Sequence, residues 1–235
     1  MKNLESLLAF QARTAGFIYD SLPHSGGLQT NANLSLKIDG DGKMAPFAGN
    51  TVVFPLPEEA RQEIGQIQKR LYQTCAPALA EPLEVSSFHI TLHDLLNGKP
   101  SQDLHDRING MRNTVLECLE KISEDGGTIS LQSTALFNMV NTSMVLGFAP
   151  VDEASCARLM TYYEMLQEVV YLPYPLTPHV TAAYFRSGTI STGLAEKLRD
   201  VVDEAGRRER IRIDLPVETI EYQLFSDMNH YWKEQ

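Results

Sequence analysis

Two short runs place residues that are poor core material at spacings that suit chemistry. In FHITLH, residues 88–93, His89, Thr91 and His93 alternate with Phe88, Ile90 and Leu92. In PHVTAAYF, residues 178–185, His179 and Thr181 alternate with Val180 and Ala182. Successive side chains on a strand point to opposite faces, so each run presents polar residues on one face and apolar ones on the other. Two imidazoles facing each other across a groove suit phosphodiester chemistry. A neutral histidine takes a proton from the attacking water or hydroxyl, and an imidazolium gives one to the leaving oxygen. Each threonine hydroxyl, about 6.6 Å along the strand from its histidine, can donate to non-bridging phosphate oxygens as charge builds on them. His89, Thr91, His179 and Thr181 are therefore the candidate catalytic residues.

Other chemistries fit these residues less well. An H-x-x-x-H spacing gives zinc two ligands when it lies on a helix. Here the spacer is Ile-Thr-Leu in an extended context, where positions four apart are about 13 Å from each other. That is too far to share an ion bound at about 2 Å, and no acidic third ligand follows, so no metal is expected. No G-x-S-x-G elbow is present. His93, His24, His105 and His230, taken singly, read as structural or surface histidines. One H-x-T match would be a weak signal; two at equivalent places carry weight.

The equivalence lies in the elements that must position the histidines. TVVFPL (51–56) reads as a strand. PLPEEARQEIGQIQKRLYQTC reads as a helix, with Ile64, Ile67 and Leu71 along one face. VSSFHITLHDL is the next strand, a helix follows from about Ser101, and GTISLQSTALF closes the run. SMVLGF, DEASCARLMTYYEMLQEVV, HVTAAYF, STGLAEKLRDVVDEAG and RIRIDLPVETIEYQLF repeat the same order, the last as one extended segment. The histidine strand is the middle one each time. This predicts a duplicated β-α-β-α-β chain, with repeats at about 51–136 and 143–225. Two lobes related by an approximate two-fold would bring the middle strands together across one groove. Ahead of them, a helix is predicted near residues 2–18. A Gly-, Asn- and Ser-rich loop follows, with a short strand LSLKI (34–38) and a hairpin-like turn at Asp39-Gly40-Asp41-Gly42.

Composition bounds the partners. The chain has 235 residues, 43% of them apolar, and a net charge of −10. That acidity argues against a general nucleic-acid backbone binder, while a small nucleotide or an RNA terminus remains compatible with a local cleft. Cys75, Cys118 and Cys156 are widely spaced and odd in number, which suits a reducing compartment better than a disulfide framework. The N-terminal run is broken by Glu5, Gln11 and Arg13 and makes a poor signal peptide. No stretch is long enough to span a membrane, so a cytoplasmic protein is expected. Near the C-terminus, Tyr222, Phe225, Tyr231 and Trp232 could stack a base.

At FHITL (88–92) and PHVTA (178–182) the sequence resembles the 2H phosphoesterase superfamily, whose signature is a duplicated h-H-x-[ST]-h motif. NTVVFPLPEEA is similar to that family's first strand and helix start, and ETIEYQLFSDMNHYW to its closing strand and turn. The resemblance covers residues 49–235 and leaves 1–48 as an N-terminal extension of helix and Gly-rich loop. It implies an α+β fold, bilobal, with antiparallel sheets around a central cleft. It also implies metal- and cofactor-independent opening of a 2′,3′-cyclic phosphate or short 2′–5′ linked nucleotide. The same residues could serve 2′–5′ RNA ligation or nucleotide binding without turnover. Many relatives carry an arginine five residues after the second histidine, where this chain has Tyr184, and the first motif here carries the additional His93. Both departures bear on the substrate, and His93, Tyr184, Tyr222 and Tyr231 are the expected substrate contacts.

Overall fold

Capping and patterning set the elements of the computed structural model, which describes residues 4–16 and 22–234. The first half runs α1 (Leu7–Gly16), β1 (Leu28–Gln29), β2 (Ala48–Pro55), α2 (Glu58–Cys75), β3 (His89–Gly98) and α3 (Gln102–Asp125). Next come β4 (Thr128–Met139), β5 (Ser143–Pro150), α4 (Glu153–Gln167) and β6 (His179–Tyr184). The chain closes with β7 (Thr189–Ile190), α5 (Thr192–Gly206), β8 (Arg212–Pro216), β9 (Glu221–Phe225) and β10 (Tyr231–Lys233). The Ser101 hydroxyl accepts from Leu104 N–H at 3.2 Å and opens α3; the Asp152 carboxylate accepts from Ser155 N–H at 2.7 Å and opens α4. Each satisfies a first-turn donor that the helix itself leaves unpaired.

The fold is α+β, with two four-stranded antiparallel sheets ordered β10-β9-β2-β3 and β6-β5-β4-β8, and a small β1-β7 pair. The third strand of each sequence run crosses over: β4 joins the second sheet and β9 the first. The repeats at 51–136 and 143–225 are thus successions in sequence, and neither is one sheet in space. Helix α3 packs on β2, β3 and β9; α2 packs on α5 and β6; α4 covers β4 and reaches β3. Their apolar faces meet Val52, Phe54, Ile90, Leu92, Phe148, Val180 and Ala182, all buried in one continuous core.

Both histidine strands are edge strands, and the two edges abut. An edge leaves backbone groups unpaired. Buried Gln68 of α2 meets part of that need, donating from Nε2 to the carbonyls of Ala182 (3.1 Å) and Leu83 (2.9 Å). On central strand β2, a Cβ at Gly49 would overlap the Phe225 ring, the Leu96 carbonyl and Asn97. Gly49→Ala is therefore expected to lower stability by about 1–3 kcal/mol, read as a lower denaturant midpoint.

Three sequence expectations change. LSLKI is not a strand: Ala32–Leu36 form a 3-10 turn, opened by Asn31, whose side chain accepts from Asn33 N–H. RIRIDLPVETIEYQLF is not one extended segment, because Pro216 and the turn Val217–Thr219 divide β8 from β9 and send them to different sheets. Helix α4 stops at Gln167, whose side chain bonds the chain at Leu172 instead of letting the helix run to Val170. Of the helix expected at 2–18, residues 2, 3, 17 and 18 lie outside the described residues.

Candidate active site

A cavity of about 710 Å³ lies between the two sheets, within the size range of small-molecule sites. His89, Thr91, His179 and Thr181 all line it. Alternation holds through both motifs: Ile90, Leu92, Val180 and Ala182 are buried in the core, while His89, Thr91, His179 and Thr181 are only partly buried and line the cavity. The Thr91 and Thr181 hydroxyls make no hydrogen bond within the protein among the described residues, which leaves them for a ligand.

The two imidazoles are held alike. His89 Nδ1 lies 2.8 Å from the Ser87 carbonyl, and His179 Nδ1 lies 2.7 Å from the Thr177 carbonyl. A carbonyl only accepts, so Nδ1 carries the proton in the neutral ring and Nε2 keeps its lone pair. The Tyr231 ring meets His89 edge-on, with centroids 4.9 Å apart, and fixes its plane. Burial pushes both histidines below their ordinary pKa; the carbonyl bonds and nearby Asp94 oppose that, and the two rings lie close enough for His179 to lower His89 further.

A second correspondence follows each motif. The β2–β3 register slips between the pairs Val53–Thr91 and Val52–His93, and the β5–β6 register slips between Val145–Thr181 and Met144–Ala183. Each is a bulge one residue beyond the threonine, which breaks the two-residue alternation. Position five after each histidine then reaches the cavity: Asp94 in β3 and Tyr184 in β6.

The sequence placed His93 on the cleft phase with His89 and Thr91, and the bulge changes its setting. His93 borders the cavity wall but is 1% exposed. Its ring packs against Tyr163 at 5.2 Å, and its Nδ1 donates to the Asp94 carbonyl. Burial lowers its pKa as well. Tyr184 and Tyr231 line the cavity. Tyr222 does not. It is buried on the α3 side of the sheet, where its hydroxyl accepts from Asn50 Nδ2 at 2.7 Å. Tyr222→Phe should leave any turnover within about twofold and cost about 1 kcal/mol, the usual worth of such a bond, in a paired activity and melting measurement.

Sequence reasoning missed Asp94, which receives the Tyr174 hydroxyl at 3.3 Å. Residues 31–47 also contribute: Asn31, Asn33, Leu34, Lys37 and Phe47 all line the cavity. Asn31 ties this segment to the β4–β5 hairpin, donating from N–H to Asn141 O at 2.9 Å and from Nδ2 to Val140 O at 3.3 Å. That hairpin tip has both central residues at positive φ, Val140 at 45° and Asn141 at 60°. A β-branched residue there is strained, and Val140 sits at the cavity edge. Among the described residues, no group of three or more His, Cys, Asp or Glu is arranged to hold a metal ion, and no helix is long and apolar enough to cross a membrane.

Residues 37–104 match the family model 2H-phosphodiest, described as a domain of unknown function (DUF1868). The matched segment is less than a third of the chain. It spans β2, α2 and β3 with the first histidine motif, and the resemblance to the 2H phosphoesterases holds. Among solved structures, a conserved protein of unknown function from Agrobacterium tumefaciens shares the fold. It is 17% identical with a TM-score of 0.66, over 88% of this chain and 93% of its own. Escherichia coli LigT (14% identity, TM-score 0.42, 81% and 96% covered) and TT0787 of Thermus thermophilus (15%, 0.44, 79% and 94%) also align. No curated protein matches.

Proposed function

We propose that the chain is a metal-independent phosphodiesterase acting on a 2′,3′-cyclic phosphate or a short 2′–5′ linked nucleotide or RNA end. The observation that carries this reading is the mirrored Nδ1–carbonyl bond of His89 and His179, which leaves each Nε2 for the shared cavity. One Nε2 takes the proton of the attacking water as its oxygen bonds to phosphorus. The other, protonated, gives its proton to the leaving ribose oxygen as that P–O bond breaks. Thr91 and Thr181 donate to the non-bridging oxygens, and the product is a phosphomonoester. By microscopic reversibility the same groups can run ligation.

The test is a panel of 2′,3′-cyclic nucleotides, 2′–5′ dinucleotides and ADP-ribose cyclic phosphate, incubated with the full chain in excess EDTA. Conversion of at least one member to a monoester is expected. Saturable binding without product over the whole panel would overturn the hydrolase reading and leave a nucleotide-binding module.

A further inference from the structure

The cavity wall differs in charge from the rest of the molecule. The chain carries 30 acidic and 20 basic residues. Among the described residues around the cavity, however, Asp94 is the one carboxylate and Lys37 the one lysine or arginine. Lys37 lies outside both histidine motifs. Its backbone is fixed at the end of the 3-10 turn, with its N–H on Leu34 O at 2.9 Å and its carbonyl receiving Ala45 N–H at 2.8 Å. The flanking Leu34 and Ile38 are buried and anchor that turn.

Among the described residues the ammonium has no carboxylate partner. Its Nζ lies 5.2 Å from the centroid of Phe47 and 5.7 Å from that of Tyr184, two rings that also line the cavity. No ion pair to Lys37 is formed among the described residues. Aromatic faces hold a cation in place without neutralising it, so the charge remains available to an anion. It is also close enough to His179 to disfavour that ring's protonated form.

Resting on the phosphodiester reading above, we infer that Lys37 binds the non-bridging phosphate oxygens of the substrate and supplies a fixed positive charge beside the imidazolium of the reactive form. A phosphodiester brings a single negative charge to that ammonium. Threonine hydroxyls and an imidazolium that passes its proton on would leave that charge with no fixed counter-ion in a partly closed cavity, where an unpaired ion is costly. The N-terminal segment is on this account part of the site.

The test titrates inorganic phosphate into the full chain by calorimetry, comparing wild type with Lys37→Met, Lys37→Gln and Lys37→Arg. Methionine is unbranched and of similar length, and it removes the ammonium. Lys37→Met and Lys37→Gln are expected to weaken phosphate about tenfold or more, with Lys37→Arg within a few-fold of wild type. Melting temperatures should be unchanged. Removing the cation should also move upward whichever limb of a pH–rate profile His179 sets, since Lys37 disfavours that ring's protonated form while Asp94 favours it. Equal phosphate affinity in wild type and Lys37→Met, or no phosphate binding by wild type, overturns the inference. Phosphate binding that depends on Lys37, with no diester turned over, keeps the inference and sinks the hydrolase reading. Turnover unaffected by Lys37→Met does the reverse.

Discussion

Alanine at His179 or His89 is expected to lower kcat/KM for a diester substrate by about 10²- to 10⁴-fold, the range contributed by a positioned general acid or base. Each ring is partly buried but lines the open cavity, so its removal enlarges that cavity and opens no sealed void. The protein loses one Nδ1–carbonyl bond, at Ser87 or Thr177, worth about 1 kcal/mol. Melting should therefore shift by only a few degrees while turnover collapses. Because the two rings act in the same step, the double variant should be little worse than either single one. A single variant that keeps wild-type turnover would remove its histidine from the mechanism. A variant that loses turnover together with its fold would point to a structural role.

The pH dependence should be unusual for a histidine pair. Burial lowers both His89 and His179 from the ordinary value of 6.5, with the Ser87 and Thr177 carbonyls and Asp94 pulling the other way. The reactive form needs one ring neutral and one protonated. Its population in the free enzyme is therefore expected to peak below about pH 6.5, seen as a bell in kcat/KM centred on the acid side. A bound anionic phosphate favours imidazolium, so the kcat bell should lie at higher pH than the kcat/KM bell. A profile that rises through pH 8 without a descending limb would contradict the paired roles.

Stability carries the same sign. A histidine whose folded pKa is depressed holds fewer protons in the folded chain than in the unfolded one. The stability due to His89, His93 and His179 is whole above about 6.5 and is lost as pH falls below it. His230 goes the opposite way: its pKa is raised by Asp227, and its contribution, which is slight because the ring is exposed, fades as pH rises. Melting curves from pH 8 to 5 should therefore decline towards acid.

How much was legible follows from which signals are local. Alternation in FHITL and HVTA is written in the residues themselves, and the cavity-facing phase of His89, Thr91, His179 and Thr181 follows from it. The helices announced themselves through apolar stripes and through caps such as Ser101 and Asp152. A bulge has no compositional mark. Nothing in HDL or AAY says that the alternation slips by one, so Asp94 was overlooked and His93 was placed on the open face. Lys37 was hidden for another reason: it sits in a loop-rich segment whose partners, Phe47 apart, are distant in sequence. Tyr222 was misread because an aromatic on a strand suits either face, and its partner Asn50 is visible only in three dimensions. Pro216 and the turn Val217–Thr219 mark the break between β8 and β9.

The most direct test of the two-histidine account needs no substrate. Long-range proton–nitrogen spectra of the imidazole rings in the full chain, followed from pH 8 to 4.5, report which nitrogen holds the proton and where each ring titrates. His89 and His179 should both appear as the Nδ1–H tautomer at high pH, each with Nε2 unprotonated, and both should titrate below 6.5. Either ring in the Nε2–H form, or titrating above that value, would contradict the geometry on which the mechanism rests.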